Sequence, residues 1–395
     1  MLKDQIQALA SRYAEELINI RRHLHAHPEL SYQEYNTSSY IQNYLAALHI
    51  PFKVLANTGV VAMIEAPAAN GKAVALRADM DALPITEAND VPYKSLHPGV
   101  MHACGHDVHT TCLLGAAKIL NEIKEHLKHS IKLIFQPGEE RNPGGASLLI
   151  KEGVLHDPAP QAIVALHVHP QLPVGKLSFR EGKVMASADE IYITIRGEGG
   201  HAAAPQLTAD TVLIASHIIV SLQQIISRNN HPLTPSVLSI CAINGGNTTN
   251  VIPSEVKLMG TFRAMDEEWR FKAHKLIKEQ VIGIARAMGA DADVHIDVGY
   301  PVVMNDARLT QSAKRLAEDY LGSQNVEETE VRMGAEDFGF YTQHIPGCFF
   351  RLGVRNEAKG IVNNVHTPRF DVDESALVTG AGIMAYLGAS LNIHQ

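Results

Sequence analysis

EIYITIR, residues 190–196, places Ile191, Ile193 and Ile195 on every second position between polar or charged neighbours. Alternation of this kind predicts a strand with one buried face. It opens a stretch that reads as strand 187–197, helix 207–227, strand 236–244, strand 255–264, helix 267–289 and strand 292–299. Gly245-Gly246-Asn247 supplies a turn after the second of these strands. The order β-α-β-β-α-β is that of a ferredoxin-like α+β module.

Outside this stretch the pattern is different. Helical periodicity covers 3–26 and 36–48, apolar strand-like runs follow at 59–65 and 73–78, and a helix follows Asp107, which is positioned to cap it. Strand Ile131–Gln136, a helix near 145–152 and strand Ala162–His167 come next. After residue 300 the alternation resumes with helix 307–321, apolar Cys348–Leu352 and a helix starting near Asp373-Glu374. These elements predict an α/β core with a largely parallel sheet. The core is discontinuous, built from 1–185 and 300–395, with 186–299 inserted as a two-layer module. Ala66–Asn70 reads as a polar surface turn.

The 395 residues favour two domains over one. A composition of 46% hydrophobic and 19% charged residues with net charge -8 suits a globular enzyme and offers no basic footprint for nucleic acid or an anionic membrane. The first 25 residues carry Asp4, Glu15 and Glu16 among their apolar positions, so they read as an amphipathic helix, not a signal peptide, and no long apolar run predicts a membrane span. Cys104, Cys112, Cys241 and Cys348 are too few for a disulfide framework. The expectation is a cytoplasmic protein acting on a small molecule.

The chemistry gathers at strand ends, where open α/β sheets place their ligands. Met101–Thr111, MHACGHDVHTT, puts Cys104 and His106 two residues apart, a metal-ligand spacing. FQPGEE, residues 135–140, ends an apolar run in two adjacent carboxylates. With His167 and His366, the set Cys104, His106, Glu140, His167 and His366 exceeds what a closed four-ligand zinc site requires. It predicts two divalent ions with Cys104 as the bridging thiolate. Thiolate and imidazole donors favour Zn2+, while the oxygen donors admit Mn2+, Co2+ or Ni2+. Glu139 then remains to move protons as general acid/base. His102 and His109 read as supporting residues, and His23, His25 and His27 as partly exposed structural ones.

On the inserted module, GGHAAAP (199–205) sets His201 beside two glycines, where it can donate to a developing oxyanion. Asn250 in TNVIP and Arg263 in FRA are further polar groups there, and an arginine suits a clamp on a substrate carboxylate.

Taken together, RRHLHAHPE (21–29), RADMDALP, MHACGHDVHTT, FQPGEE, LHVHP, GGHAAAP, TNVIP, FRAMD, GAEDFGFY and NNVHTPRFDVDE resemble the amidohydrolase branch of the M20 metallopeptidase family over nearly the whole chain. The resemblance implies a dinuclear metal centre held by Cys104, His106, Glu140, His167 and His366, with Glu139 as acid/base. It implies an inserted domain that closes over the substrate and forms a homodimer, and a His201 that serves the transition-state pocket, commonly the partner subunit's. Asn250 and Arg263 would hold the substrate carboxylate. The pattern departs from the broader family at Arg77, where a His-x-Asp motif usually supplies a ligand; His106 takes that place, and Asp79 stands behind the ligands. The implied reaction is hydrolysis of N-acyl amino acids to a carboxylic acid and a free amino acid, with a dipeptidase or carboxypeptidase as the alternative.

Overall fold

The computed structural model describes residues 2–67, 69 and 71–392. The turn read at 66–70 includes Ala68 and Asn70, which lie outside the described residues. In chain order the first part comprises α1 (Leu2–Arg12), α2 (Ala14–Ala26), α3 (Tyr35–Ala47), β1 (Phe52–Leu55), β2 (Gly59–Ile64), β3 (Ala73–Asp79), α4 (His106–Glu122), β4 (Ser130–Gln136), α5 (Gly145–Lys151), β5 (Pro160–Pro173) and β6 (Leu177–Phe179). Then come β7 (Ser187–Arg196), α6 (Thr211–Gln224), β8 (Ser236–Asn244), β9 (Glu255–Ala264), α7 (Glu267–Ala287) and β10 (Asp291–Val298). The chain closes with α8 (Ala307–Leu321), β11 (Val326–Glu328), α9 (Gly339–Thr342), β12 (Gly347–Arg355) and α10 (Ala376–Ser390).

Contacts divide the chain into two units, one of Met1–Val184, Met304–Glu330 and Asp337–Gln395, the other of Met185–Val303 with Val331–Glu336. The first unit holds an eight-stranded sheet in the order β1-β2-β4-β3-β5-β12-β6-β11. Its centre, β4, β3, β5 and β12, is parallel. The sheet as a whole is mixed, since β1, β2 and β4 run antiparallel to one another in turn and β6 opposes β12. β3 and β4 are buried along their entire length, so both faces must be covered. α4 and α10, buried nearly all round, supply part of that cover and join the large core with Leu76, Leu133 and Val164.

The helix read over 3–26 divides at Tyr13 into α1 and α2. α4 starts two residues earlier than read, and its N-cap is Gly105 in a left-handed conformation. Asp107 is therefore not the cap. It is buried inside the first turn, where it accepts from Arg21 Nε at 2.9 Å and faces His25 Nδ1 at 2.8 Å. His25 is fully buried in that network rather than partly exposed.

The second unit is α+β. Its antiparallel sheet has the order β8-β9-β7-β10 with α6 and α7 packed on it, a ferredoxin-like arrangement. Ile191, Ile193 and Ile195 of β7 all point into this core. Asp210 and Asp266 cap α6 and α7 by accepting from Leu213 and Trp269 amides at 3.0 Å each. α6 with the π-helical turn after it, Thr211–Asn229, is long and apolar enough to cross a membrane by composition. Ile214, Ala215, Ile218, Leu222 and Ile225 along it are buried in the core of the unit.

Candidate metal centre

All five sequence-read ligands belong to the first unit, and the fold brings them together. Within it, donor atoms of Cys104, His106 and His167 lie within 4.8 Å of one another, as do those of Cys104, Glu140 and His366, and those of His106, Glu139 and Glu140. Cys104 Sγ stands 3.5 Å from His167 Nε2 and 3.3 Å from His366 Nε2. The thiol thus occupies the middle of the group.

Each donor is aimed by its backbone. Gly105 adopts φ +83°, and a Cβ there would stand 2.5 Å from Val168 Cγ2, so glycine alone lets the Cys104 loop turn against the middle of β5. His106 opens α4 and directs Nδ1 at Asp81 Oδ1, 3.1 Å away. Its Nε2 is buried with no hydrogen-bond partner, 3.9 Å from Glu140 Oε1 and 3.8 Å from Asp79 Oδ1. His167 donates from Nδ1 to the Val168 carbonyl at 2.7 Å, which leaves the Nε2 lone pair facing the thiol. His366 holds a left-handed backbone at φ +61°, unusual for a side chain, and its amide donates to the Ala103 carbonyl at 2.7 Å. The FQPGEE turn is fastened by Gly138 N donating to Glu34 Oε1 at 2.8 Å and Glu140 N donating to Asp81 Oδ2 at 3.0 Å. The next helix begins only at Gly145, so neither Glu139 nor Glu140 serves as a first-turn acid.

A deeper layer supports the donors. Arg77 Nη1 donates to Asp79 Oδ2 at 2.6 Å and Nη2 to Asp337 Oδ1 at 2.8 Å, all fully buried. Asp79 Oδ1 takes a hydrogen bond from His109 Nδ1 at 2.5 Å, while His109 Nε2 accepts from the Val168 amide at 2.9 Å. Those two partners fix the neutral Nδ1–H tautomer. Sequence reasoning placed Asp79 and His109 near the site but passed over Asp81, which orients His106 and also takes a 2.6 Å bond from Ser31. The signal was present: Asp79 and Asp81 are two apart at a strand end and share a face.

Electrostatics match a cation site. Burial lowers the His106 pKa, yet Asp79, Asp81 and Glu140 overcome it and lift it to about 10. Burial, followed by Glu140, Glu139 and Asp79, pushes the Cys104 thiol well above its ordinary range. Burial, with His109 and Arg351, holds His167 neutral. Negative charge is therefore in excess, and protons on Cys104 and His106 stand where divalent ions would. The orphaned His106 Nε2 and the mixed sulfur, nitrogen and oxygen donor set fit such ions.

The remaining predicted residues lie in the second unit. His201, exposed, pairs in a short antiparallel ladder with Val251, and its Nδ1 accepts from the Ala203 amide at 3.0 Å. Asn250 is exposed, and its carbonyl accepts from the Ala202 amide at 3.0 Å. Arg263 is half-buried on β9, with Nε donating to Thr261 Oγ1 at 3.2 Å.

Comparison with known proteins agrees with this geometry. The model of peptidase family M20/M25/M40 matches residues 75–389. The chain is 40% identical to an N-acetyl-L-cysteine deacetylase of Bacillus subtilis, covering 93% of this chain and 86% of the relative. It is also 40% identical to thermostable carboxypeptidase 2 of Saccharolobus solfataricus, covering 92% of each. A crystal structure of a dinuclear metal-binding peptidase of the M20 family from Bacillus subtilis superposes with a TM-score of 0.83 at 35% identity, over 96% of this chain and 98% of that one. The chain belongs to peptidase family M20 and is a hydrolase acting on amides. The dinuclear relative and the clustered donors support two divalent metals.

Proposed function

We propose that this M20 hydrolase cleaves the amide bond of N-acyl amino acids, releasing a carboxylic acid and a free amino acid. The observation that carries the reading is the convergence of Cys104, His106, Glu140, His167 and His366 around a buried, unpartnered His106 Nε2, with Glu139 beside them. In this reading those five residues hold the two ions, Zn2+ or Mn2+ in the first instance and Co2+ or Ni2+ as substitutes. Bound divalent ions supply Lewis acidity toward a carbonyl and bring the pKa of water toward neutrality.

The chain's own groups do the rest. Glu139 takes the proton of the attacking water and returns it to the leaving amine. Asp79, locked between Arg77 and His109, sets the field around His106. His201 donates to the developing oxyanion, and Asn250 and Arg263 hold the substrate carboxylate. The N-acetyl amino acid named for the deacetylase relative supports this substrate class. The carboxypeptidase relative supports the alternative, peptide cleavage at the same centre.

The assembly in this reading is a homodimer formed through the second unit. Val212, Leu213 and Val220 on the outer face of α6 and Val237 and Ile243 on the edge strand β8 are exposed there, as a self-associating face requires. All four cysteines are free, which suits a reducing cytoplasm.

Protein stripped by chelator, reloaded with each metal and assayed on N-acetyl and N-benzoyl amino acids should release amino acid only when reloaded. A parallel series of dipeptides separates the two substrate classes. Turnover of dipeptides alone would overturn the N-acyl reading, and silence on both series would overturn the site.

A further inference from the structure

A second group of imidazoles lies outside the metal centre, at the far end of α2. His23 and His27 stand four residues apart, so the helix stacks them on one side, with ring centroids 4.5 Å apart. His97 arrives from the loop before β-bridged Met101 and meets His27 edge to face, with centroids 6.2 Å apart. The loop is seated there by Leu96 N, which donates to the Ala26 carbonyl at 2.8 Å. His23 also stacks on Tyr40 at 4.5 Å. Together with Leu24, Asn36 and Thr37 these rings line a cavity of about 390 Å3.

Two of the rings are already set as donors. His27 Nδ1 lies 2.8 Å from the His23 carbonyl and His97 Nδ1 lies 2.9 Å from the Pro28 carbonyl. A carbonyl can only accept, so each Nδ1 carries the proton and each Nε2 presents a lone pair. This backbone-held tautomer is the arrangement that orients histidine ligands in metal sites. Burial and His27 lower the pKa of His23, which keeps the third ring neutral as well. The carbonyl end of α2 adds the negative end of its dipole, which favours a cation. Asn36 and Thr37 already donate to Glu29, so the cavity offers nitrogen ligands and no free carboxylate.

We infer that His23, His27 and His97 form a third metal site, an all-imidazole one selective for borderline transition ions such as Cu2+, Ni2+ or Zn2+ over Mg2+ or Ca2+. The three rings do not yet converge: they are absent from the groups of described residues whose donor atoms lie within 4.8 Å of one another. His23 and His97 are exposed, and closing the site requires His23 to leave its stack on Tyr40 and both side chains to rotate toward a common point with His27.

The test uses enzyme whose first centre is filled with zinc. Cu2+ is titrated in, retained zinc is measured after gel filtration, and the copper is examined by electron paramagnetic resonance. The expected result is one further equivalent bound, zinc retained, and coupling to three imidazole nitrogens. His97→Gln should weaken this binding at least about tenfold, about 1.4 kcal/mol, and His23→Gln with His27→Gln should abolish it. Hydrolytic activity and metal-free melting temperature should match the parent in every variant, which excludes misfolding. Copper that binds the double variant as tightly, displaces zinc, or couples to fewer than three imidazoles overturns the inference. The copper readout is independent of substrate, so it stands or fails separately from the proposed hydrolysis.

Discussion

Two adjacent glutamates divide the work at the centre in the proposed reading. Glu140 faces His366 Nε2 at 3.3 Å, while Glu139 is buried and 4.0 Å from His106 Nε2. Glu139→Gln preserves shape and removes the proton carrier. Metal content should stay at the parent level while kcat drops by about a hundredfold or more; a retained kcat would take Glu139 out of that role. The five proposed ligands were legible by residue type and motif more than by position: His106 opens α4, and His167, read as closing its strand, lies in the middle of β5, which runs on to Pro173. Asp81 and the exact part played by His109 were not. Their role is to hold another side chain, and the partner lies 25 residues away for Asp81 and 30 for His109, a distance that only folding closes.

At the scale of the element, α7 is tied to β7 through one buried carboxylate. Asp189 accepts from Arg270 Nε at 2.9 Å and Nη2 at 2.5 Å, and faces His274 Nε2 at 2.8 Å. Burial raises the Asp189 pKa, but His274 and Arg270 outweigh it and hold the group below the ordinary carboxylate range. A depressed folded-state pKa adds stability above the unfolded value of about 4 and loses it as pH falls toward the folded one. Asp189→Asn should therefore cost about 3–5 kcal/mol at neutral pH, because Arg270 is left buried. The difference from the parent should shrink in acid, as read by melting temperature across a pH series. A constant difference at all pH values would remove the charge from the explanation. The elements of this unit were legible to within about two residues, except the first helix, read from 207 where α6 begins at Thr211, because alternation in β7 and long helical periodicity in α7 are unmixed signals. The break between α1 and α2 was not, since neither glycine nor proline marks Tyr13. Strand order was hidden too: β4 enters between β2 and β3, and β12 between β5 and β6, which no local pattern encodes.

For the whole molecule, the first unit has a core reaching from Ile6 to Leu391 that owes nothing to metal. Chelation should silence the enzyme without unfolding it, the behaviour of a catalytic site and not of a structural one. Ions at about a hundredfold over Kd should then stabilise the folded state by about 2.7 kcal/mol, visible as a higher melting temperature. Cooperative unfolding on chelation would mark the site as structural. The span between donors has another consequence, one of timing. Cys104 and His366 are 262 residues apart with an entire second unit encoded between them. During synthesis the ribosome delivers the thiol, His106, both glutamates and His167 long before the last imidazole. In the proposed reading a nascent chain therefore lacks one of the five ligands, and the set is complete only once residue 366 has been made.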